Sequence, residues 1–229
     1  MTTLRLADPG EAADLASFLS RLLRYDRAAA VRLQAAASAT AGSGVLAVFG
    51  RLPLGASGVV AIRAARLREE PKETLDATVS AGQLLEALDE EAAALAVPPT
   101  VTGPAWTGML PPRSGWRPLG ALPGAPVAAA VAGAVAEFRS RSEAMPPEDR
   151  TRAALDALAD EIWSRPLDST AELPLRAVHG AQVLGFLRPG AELSVFQAGG
   201  WLRLSCPHGS VALRRTAGPG SGLGLTPLS

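Results

Sequence analysis

Val45-Leu46-Ala47-Val48-Phe49 and Gly58-Val59-Val60-Ala61-Ile62-Arg63-Ala64 flank a loop that holds Pro53, Gly55 and Ser57. Two valine-rich runs separated by turn residues read as the arms of an antiparallel hairpin. The same vocabulary returns near the other end of the chain. Leu46-Ala-Val48-Phe49 is echoed by Leu193-Ser-Val195-Phe196, and Gly58-Val-Val60-Ala61-Ile62-Arg63 by Gly209-Ser-Val211-Ala212-Leu213-Arg214. The second copy reads as having a loop four residues longer, with each copy preceded by two helices. An isolated hairpin is marginal, so each must pack on its own helices or on the other copy. Two readings stay open: a pseudo-repeat of helix, helix and hairpin, or two unrelated hairpins written in one restricted alphabet.

Outward from the first hairpin, Thr3 to Ala7 alternates and suits a short strand. Asp8-Pro9-Gly10-Glu11 then starts a helix, with an N-cap acceptor, a proline in the first turn and a glutamate to close the box. Leu15, Phe18, Leu19, Leu22 and Leu23 follow at helical spacing. Asp26 is read as the cap of a second helix carrying Ala30, Val31 and Leu33, ended by Gly42 to Gly44. Beyond the hairpin, Leu75 to Val79 reads as a strand. Ser80-Ala81-Gly82-Gln83 reads as another capping box, with Leu84, Leu85 and Leu88 as a buried stripe and Glu90 and Glu91 on the solvated face.

Around the second hairpin, Pro126 to Arg141, the segment after Pro146-Pro147-Glu148-Asp149, and Leu173 to Leu187 read as helices. Leu155, Leu158, Ile162 and Trp163 form the apolar stripe of the middle one. Glu192 to Gln197, Trp201 to Cys206 and Ser210 to Arg214 read as a meander turned at Gly199-Gly200 and His208-Gly209. The expected class is α+β, with helix pairs packed on antiparallel hairpins. The expected organisation is an N-terminal half at 1–100, an irregular connection and helix at 101–145, a helix-helix-meander unit at 146–215, and a disordered tail from 216 to 229.

Composition narrows function. The 229 residues hold 22 basic and 22 acidic side chains, so the formal net charge is zero. That is unlike the strong positive field of a nonspecific nucleic-acid binder. A hydrophobic content of 48% is unlike a disordered acidic chain. One cysteine, Cys206, supports no disulfide framework. With two histidines, His179 and His208, it offers no ligand-pair spacing for zinc. The opening residues lack a secretory apolar region. The longest apolar run, Ala125 to Ala136, is too short to span a bilayer. A cytoplasmic location is expected, with no membrane partner, no cofactor and no metal.

Arginine occurs 21 times against a single lysine, Lys72; alanine occurs 45 times and asparagine never. Such a composition points to a high-GC genome and makes arginine the default surface cation. Charge is unevenly placed: residues 1–68 sum to +5 and residues 69–100 to −7. That asymmetry suits self-association or docking between regions.

The most unusual stretch runs from Thr102 to Trp116. It holds Trp106, Arg113, Trp116 and the Pro111-Pro112 pair. Pro-Pro fixes an extended backbone at low entropic cost, and tryptophan with arginine is a common contact pair. These three residues are the candidate ligand-binding positions, and the competing reading is that both tryptophans plug the core. Cys206-Pro207-His208 lacks a third group to orient the imidazole, so an idle thiol and a turn histidine are expected. No catalytic constellation stands out. The first function expected is therefore a non-catalytic binding or assembly module, with a protein or small-molecule partner.

Two resemblances give alternatives. Leu4-Arg-Leu-Ala-Asp8-Pro-Gly-Glu11, followed by a helix pair and a hairpin, resembles the start of a GNAT-type acetyltransferase over about 65 residues. This implies an acyltransferase-like enzyme, although the family's pyrophosphate-binding turn, Gln/Arg-x-x-Gly-x-Gly/Ala, does not occur here. Helix, helix and antiparallel strands at 146–215 resemble a winged helix, which implies a nucleic-acid partner. Residues 174–229 carry five arginines against one acid, but the second helix has only Arg176 and Arg188 near its ends. Finally, Ser80-Ala-Gly-Gln-Leu-Leu-Glu86, Pro111-Pro-Arg-Ser-Gly-Trp116 and Trp163-Ser-Arg-Pro166 resemble an uncharacterised family of actinobacterial proteins, which implies no function.

Overall fold

Asp8 caps the first helix as its sequence dictates. Its Oδ1 accepts from the Glu11 amide at 3.0 Å, and the apolar stripe of Leu15, Phe18, Leu19 and Leu22 is buried. The computed structural model describes residues 2–37, 44–55, 58–167, 173–188 and 190–215. The expected tail from 216 lies outside the described residues, as do Gly42, Ser43 and Ser57.

In chain order, the N-terminal half has β1 (Thr3–Arg5), α1 (Pro9–Tyr25), β2 (Ala30–Ala37), β3 (Gly44–Leu52), β4 (Val59–Leu67), β5 (Leu75–Ser80), α2 (Ala81–Glu86), β6 (Leu88–Asp89) and β7 (Ala94–Ala96). A short 3-10 turn follows at Ala105–Gly108. The rest of the chain has β8 (Arg117–Pro123), α3 (Gly124–Ala144), α4 (Arg152–Trp163), α5 (Leu175–Val183), β9 (Glu192–Ala198), β10 (Trp201–Cys206) and β11 (Gly209–Arg214). The fold class is α+β, as expected.

Four strands from each half make one eight-stranded antiparallel sheet, in the order β5-β2-β3-β4-β11-β10-β9-β8. The halves meet where β4 pairs with β11, with Val60 opposite Ala212, Ala61 opposite Val211 and Ile62 opposite Ser210. A smaller sheet, β1-β7-β6, closes one end, and the Leu6–Leu67 bridge ties it to β4.

The sequence echo is only half structural. Gly58–Arg63 and Gly209–Arg214 meet each other across the middle of the sheet. Leu46–Phe49 lies in β3, next to that junction, whereas Leu193–Phe196 lies in β9, two strands beyond β11. The residues expected to lengthen the second loop are strand β10 and its turns. Three helices precede the second copy, and one helix and a strand precede the first.

That strand is β2, and it corrects the expected second helix. Ala30-Val-Arg-Leu-Gln-Ala35 alternates with period two: Val31, Leu33 and Ala35 are buried, while Arg32 and Gln34 face outward. Alanine's helix preference is overruled because a strand here completes ladders to both β3 and β5. Asp26 caps no following helix. It ends α1, and its Oδ1 accepts from the Ala28 amide at 2.9 Å, an Asx turn that redirects the chain. The GNAT-like opening therefore lacks its helix pair.

Other boundaries shift less. Ser80 does cap α2, but that helix ends at Glu86, so Leu88 enters β6 and Glu90 and Glu91 sit in the turn before β7 rather than on a helix. Thr151 caps α4, later than the Pro-Pro-Glu-Asp stretch suggests. The third expected helix is shortened to α5. Gly185 (φ +73°) turns the chain there in the left-handed region that glycine tolerates.

Helices α1 and α5 cover one face of the sheet, the front. Phe18 of α1 stacks on Phe186, just beyond α5, with centroids 5.8 Å apart. The front core runs through both halves, from Leu33, Leu46, Val48 and Leu52 to Val195, Leu204, Val211 and Leu213. Gly50 of β3 gives α1 its close approach, since a methyl group there would strike the Leu22 side chain. α3 and α4 pack behind α5 around Ala134, Leu158, Ile162 and Leu175.

Candidate functional site

The back face is built by the alternate residues of the same strands. Phe49, Val60, Ile62 and Ala212 form a separate apolar cluster there, with Ala47, Trp106, Leu110 and Trp201 packed against it. Among the described residues, no α-helix contributes to this cluster. Residues 101–116 cross it as a strap, from one sheet edge to the other. The strap leaves β5, where the Val101 amide donates to the Thr78 carbonyl at 2.9 Å, and ends by entering β8.

The 3-10 turn shapes the middle of the strap. The Thr107 amide and hydroxyl both donate to the Pro104 carbonyl, at 3.0 and 2.9 Å. This sets Trp106 against the sheet. Next to it a cleft of about 570 Å³ opens, lined by Trp106, Val101, Thr102, Arg51, Asp26 and Ser80 among others. Trp106 is thus both a packing residue and a cleft wall.

Trp116 stands at the far end of the strap. Its Nε1 donates to the Pro112 carbonyl at 2.8 Å, closing the Pro-Pro loop on itself. The Arg203 guanidinium of β10 lies 5.6 Å from the ring centroid. Arg203 also donates through Nε to the Ser210 hydroxyl at 3.0 Å, and burial shifts its pKa down. Arg113 is exposed between the two tryptophans. Its charge reaches Asp76: burial alone would raise that carboxyl, but hydrogen bonds from Arg32 and Gln34, with the fields of Arg32 and Arg113, hold it below the usual range. The structure therefore lays Trp106, Arg113 and Trp116 along one strap over one face.

A second polar constellation sits where the halves meet at the front. Arg63 of β4 occupies an otherwise apolar register: Val59, Ala61, Ala65 and Leu67 share its face and are buried. Its Nη2 donates to Asp14 Oδ2 at 2.9 Å and Glu11 Oε2 at 3.3 Å, and its Nη1 to the His208 carbonyl at 2.9 Å. The His208 ring lies between Asp14, 3.7 Å from Nδ1, and Arg188, whose Nε donates to Nε2 at 3.0 Å. Sequence reasoning missed this group. The available signal was an arginine written into the apolar alternation of Val59–Leu67.

Cys206 lies on the front face against the main core, and burial pushes its thiol up to about 12. A thiol so raised is almost wholly protonated at neutral pH. His179 stacks on Trp163 at 4.2 Å, and burial pushes its pKa below the ordinary value. Among the described residues, no group of three or more His, Cys, Asp or Glu is placed to hold a metal ion, and no helix is long and apolar enough to cross a membrane.

Two family models match the chain. Residues 1–108 match Domain of unknown function (DUF8010), and residues 111–218 match Domain of unknown function (DUF8185). No curated protein matches the chain, and no solved structure does. The boundary between the two matches falls inside the strap, at Met109 and Leu110. The chain thus joins two regions, each similar to a family of unknown function, and the strap spans their join.

Proposed function

We propose that the protein is a non-catalytic binding module that takes its partner on the strapped back face of the sheet. The observation that carries this reading is the cleft beside Trp106. A large aromatic wall, with Arg51 and Asp26 opposite, is a typical mix of apolar contact and a few orienting charges. The surrounding surface fits the same reading. Met109 on the strap is 53% exposed, Val101 and Val45 are exposed nearby, and Arg113 stands free in solvent. Trp106 fixes the strap, and Arg113 and Trp116 are the contact residues. The partner's chemistry is acidic and apolar, matching the strap's arginine and methionine. The module works in the cytoplasm, where a lone buried thiol stays reduced.

Assembly is the second reading. The exposed acids Glu69, Glu70 and Glu73 belong to the −7 block and complement the exposed Arg113 and Arg117 of another copy. The two halves also read as diverged copies, on the strength of the β4 and β11 match alone.

Native mass spectrometry of the full chain tests the proposal. A bound mass, or a salt-sensitive dimer, is expected in the wild type and lost in the Arg113→Ala and Trp116→Ala variants, with the fold retained. Equal and severe unfolding of both variants would refute a recognition role for the strap, as would the same bound species in all three proteins.

A further inference from the structure

The seam between the halves holds a polar cavity of about 300 Å³ that the strap does not reach. Its N-terminal wall is one stripe of α1, where Asp14, Ser17, Phe18 and Arg21 follow at helical spacing. Its C-terminal wall is the Leu184–Arg188 segment and His208. Arg63 forms the floor, nine-tenths buried, with both terminal nitrogens engaged and its buried Nε without a partner among the described residues. Three guanidinium groups and one carboxylate line the cavity, and that carboxylate, Asp14, is already paired with Arg63. The surplus charge is positive.

Two of the guanidinium groups are held in place with donors to spare. Among the described residues Arg188 spends only Nε, on the His208 ring, and both of its terminal nitrogens find no acceptor there. Arg21, among the described residues, spends only Nη1, on the Leu184 carbonyl at 2.8 Å. The bond from Arg188 makes Nε2 of His208 an acceptor and leaves the ring proton on Nδ1, facing Asp14. Gly185 is part of the construction, because a side chain there would occupy the space of the Arg21 guanidinium. A guanidinium fixed at one nitrogen and open at the others is prepared for a planar or tetrahedral oxyanion.

We propose that the seam cavity is a binding site for a small dianion, a phosphomonoester or a dicarboxylate, held between Arg21 of one half and Arg188 of the other. Ser17 adds a neutral donor, and the Arg63–Asp14 pair fixes the floor. The volume suits a compact metabolite and is too small for a dinucleotide. A ligand here touches both halves at once and ties them together from the front, opposite the strap.

The test uses calorimetric titration of the full chain with inorganic phosphate and with malonate, against sodium chloride at equal ionic strength. Saturable binding of one or both ions is expected. Phosphate alone assigns the phosphomonoester class, and malonate alone assigns the dicarboxylate class. Arg188→Gln should weaken that binding at least tenfold, and Arg188→Lys should restore only part of it, because the charge returns without the fork. Arg188 is exposed, so the fold should persist, and far-ultraviolet circular dichroism checks this. Arg152→Gln, on the exposed face of α4, should leave binding unchanged. Failure of the wild type to bind either ion saturably would overturn the proposal, as would equal binding by Arg188→Gln.

Discussion

The two faces of the eight-stranded sheet are written by alternate residues of the same strands, yet they are closed in different ways. The front face is sealed by α1 and α5 and by a core continuous through both halves, interrupted by Arg63 at the seam. The back face carries a four-residue buried cluster, held under a strap that has one short 3-10 turn and no other regular structure before β8. A face sealed by helices gains its stability from area buried. A face crossed by a strap gains less and keeps residues in solvent, where a partner can reach them. The difference assigns stability to the front and recognition to the back, with the seam cavity as the polar exception on the front.

The contrast breaks if core truncation costs the same on both faces. Phe18→Ala removes a fully buried ring stacked on Phe186 and should cost about 3–5 kcal/mol in urea unfolding. Trp106→Ala, on a half-buried ring, should cost roughly 2 kcal/mol, because part of its surface already meets solvent. Equal losses would mean that the strap is as much core as the helices are. Arg63→Met sharpens the seam. It should cost about 2–3 kcal/mol, since the nearly buried Glu11 carboxylate loses one of its two guanidinium partners and keeps only the exposed Arg66, whose Nε donates to Oε1 at 2.8 Å. Asp14 and its half-exposed position set the lower end of that range.

Smaller effects follow. Arg113→Ala should stay within about 0.5 kcal/mol of wild type, as an exposed substitution whose long-range field on Asp76 is the smallest of the causes that hold that carboxyl down. The Arg141 and Arg165 guanidinium groups that bridge Glu137 and Glu161 hold Glu161 down to about 2. A depressed carboxyl contributes its stability above the unfolded value and loses it as pH falls through the folded one. The link between α3 and α4 should therefore persist at neutral pH and fade between about pH 4.5 and 2. Because these side chains are exposed, the effect should be small and should shrink with salt, as acid titration at two ionic strengths would show. Glu161→Gln should reduce that pH dependence to the part that Glu137, held down by Arg165 and Arg141, still carries.

Much of the fold was legible in the sequence, for physical reasons that differ by element. The capping signals at Asp8 and Ser80 were read correctly, because a cap is a local contract between a side chain and an amide three residues on. The meander at 192–214 was visible through its glycine turns and its alternation. Strand β2 was not, because an alanine-rich run satisfies both periods and only its two neighbours decide. The echo misled in one half for the same reason: a small alphabet repeats words by chance, and strand order is a tertiary fact. Trp106, Arg113 and Trp116 were singled out by residue type. The Asp14, Arg21, Arg188 and His208 group was not, since it is assembled from segments more than 160 residues apart in the chain.

Hydrogen exchange of the full chain, read residue by residue, tests the central claim most directly. That claim is one sheet continuous across the β4–β11 junction, with a front that is locked and a back that is strapped. Amides of Val60 to Ile62 and Ser210 to Ala212 should open together, at the free energy of global unfolding, while the strap at 101–116 exchanges well before them. Exchange of residues 30–80 and 117–214 as two independent units, or a strap protected as strongly as the junction, would contradict it.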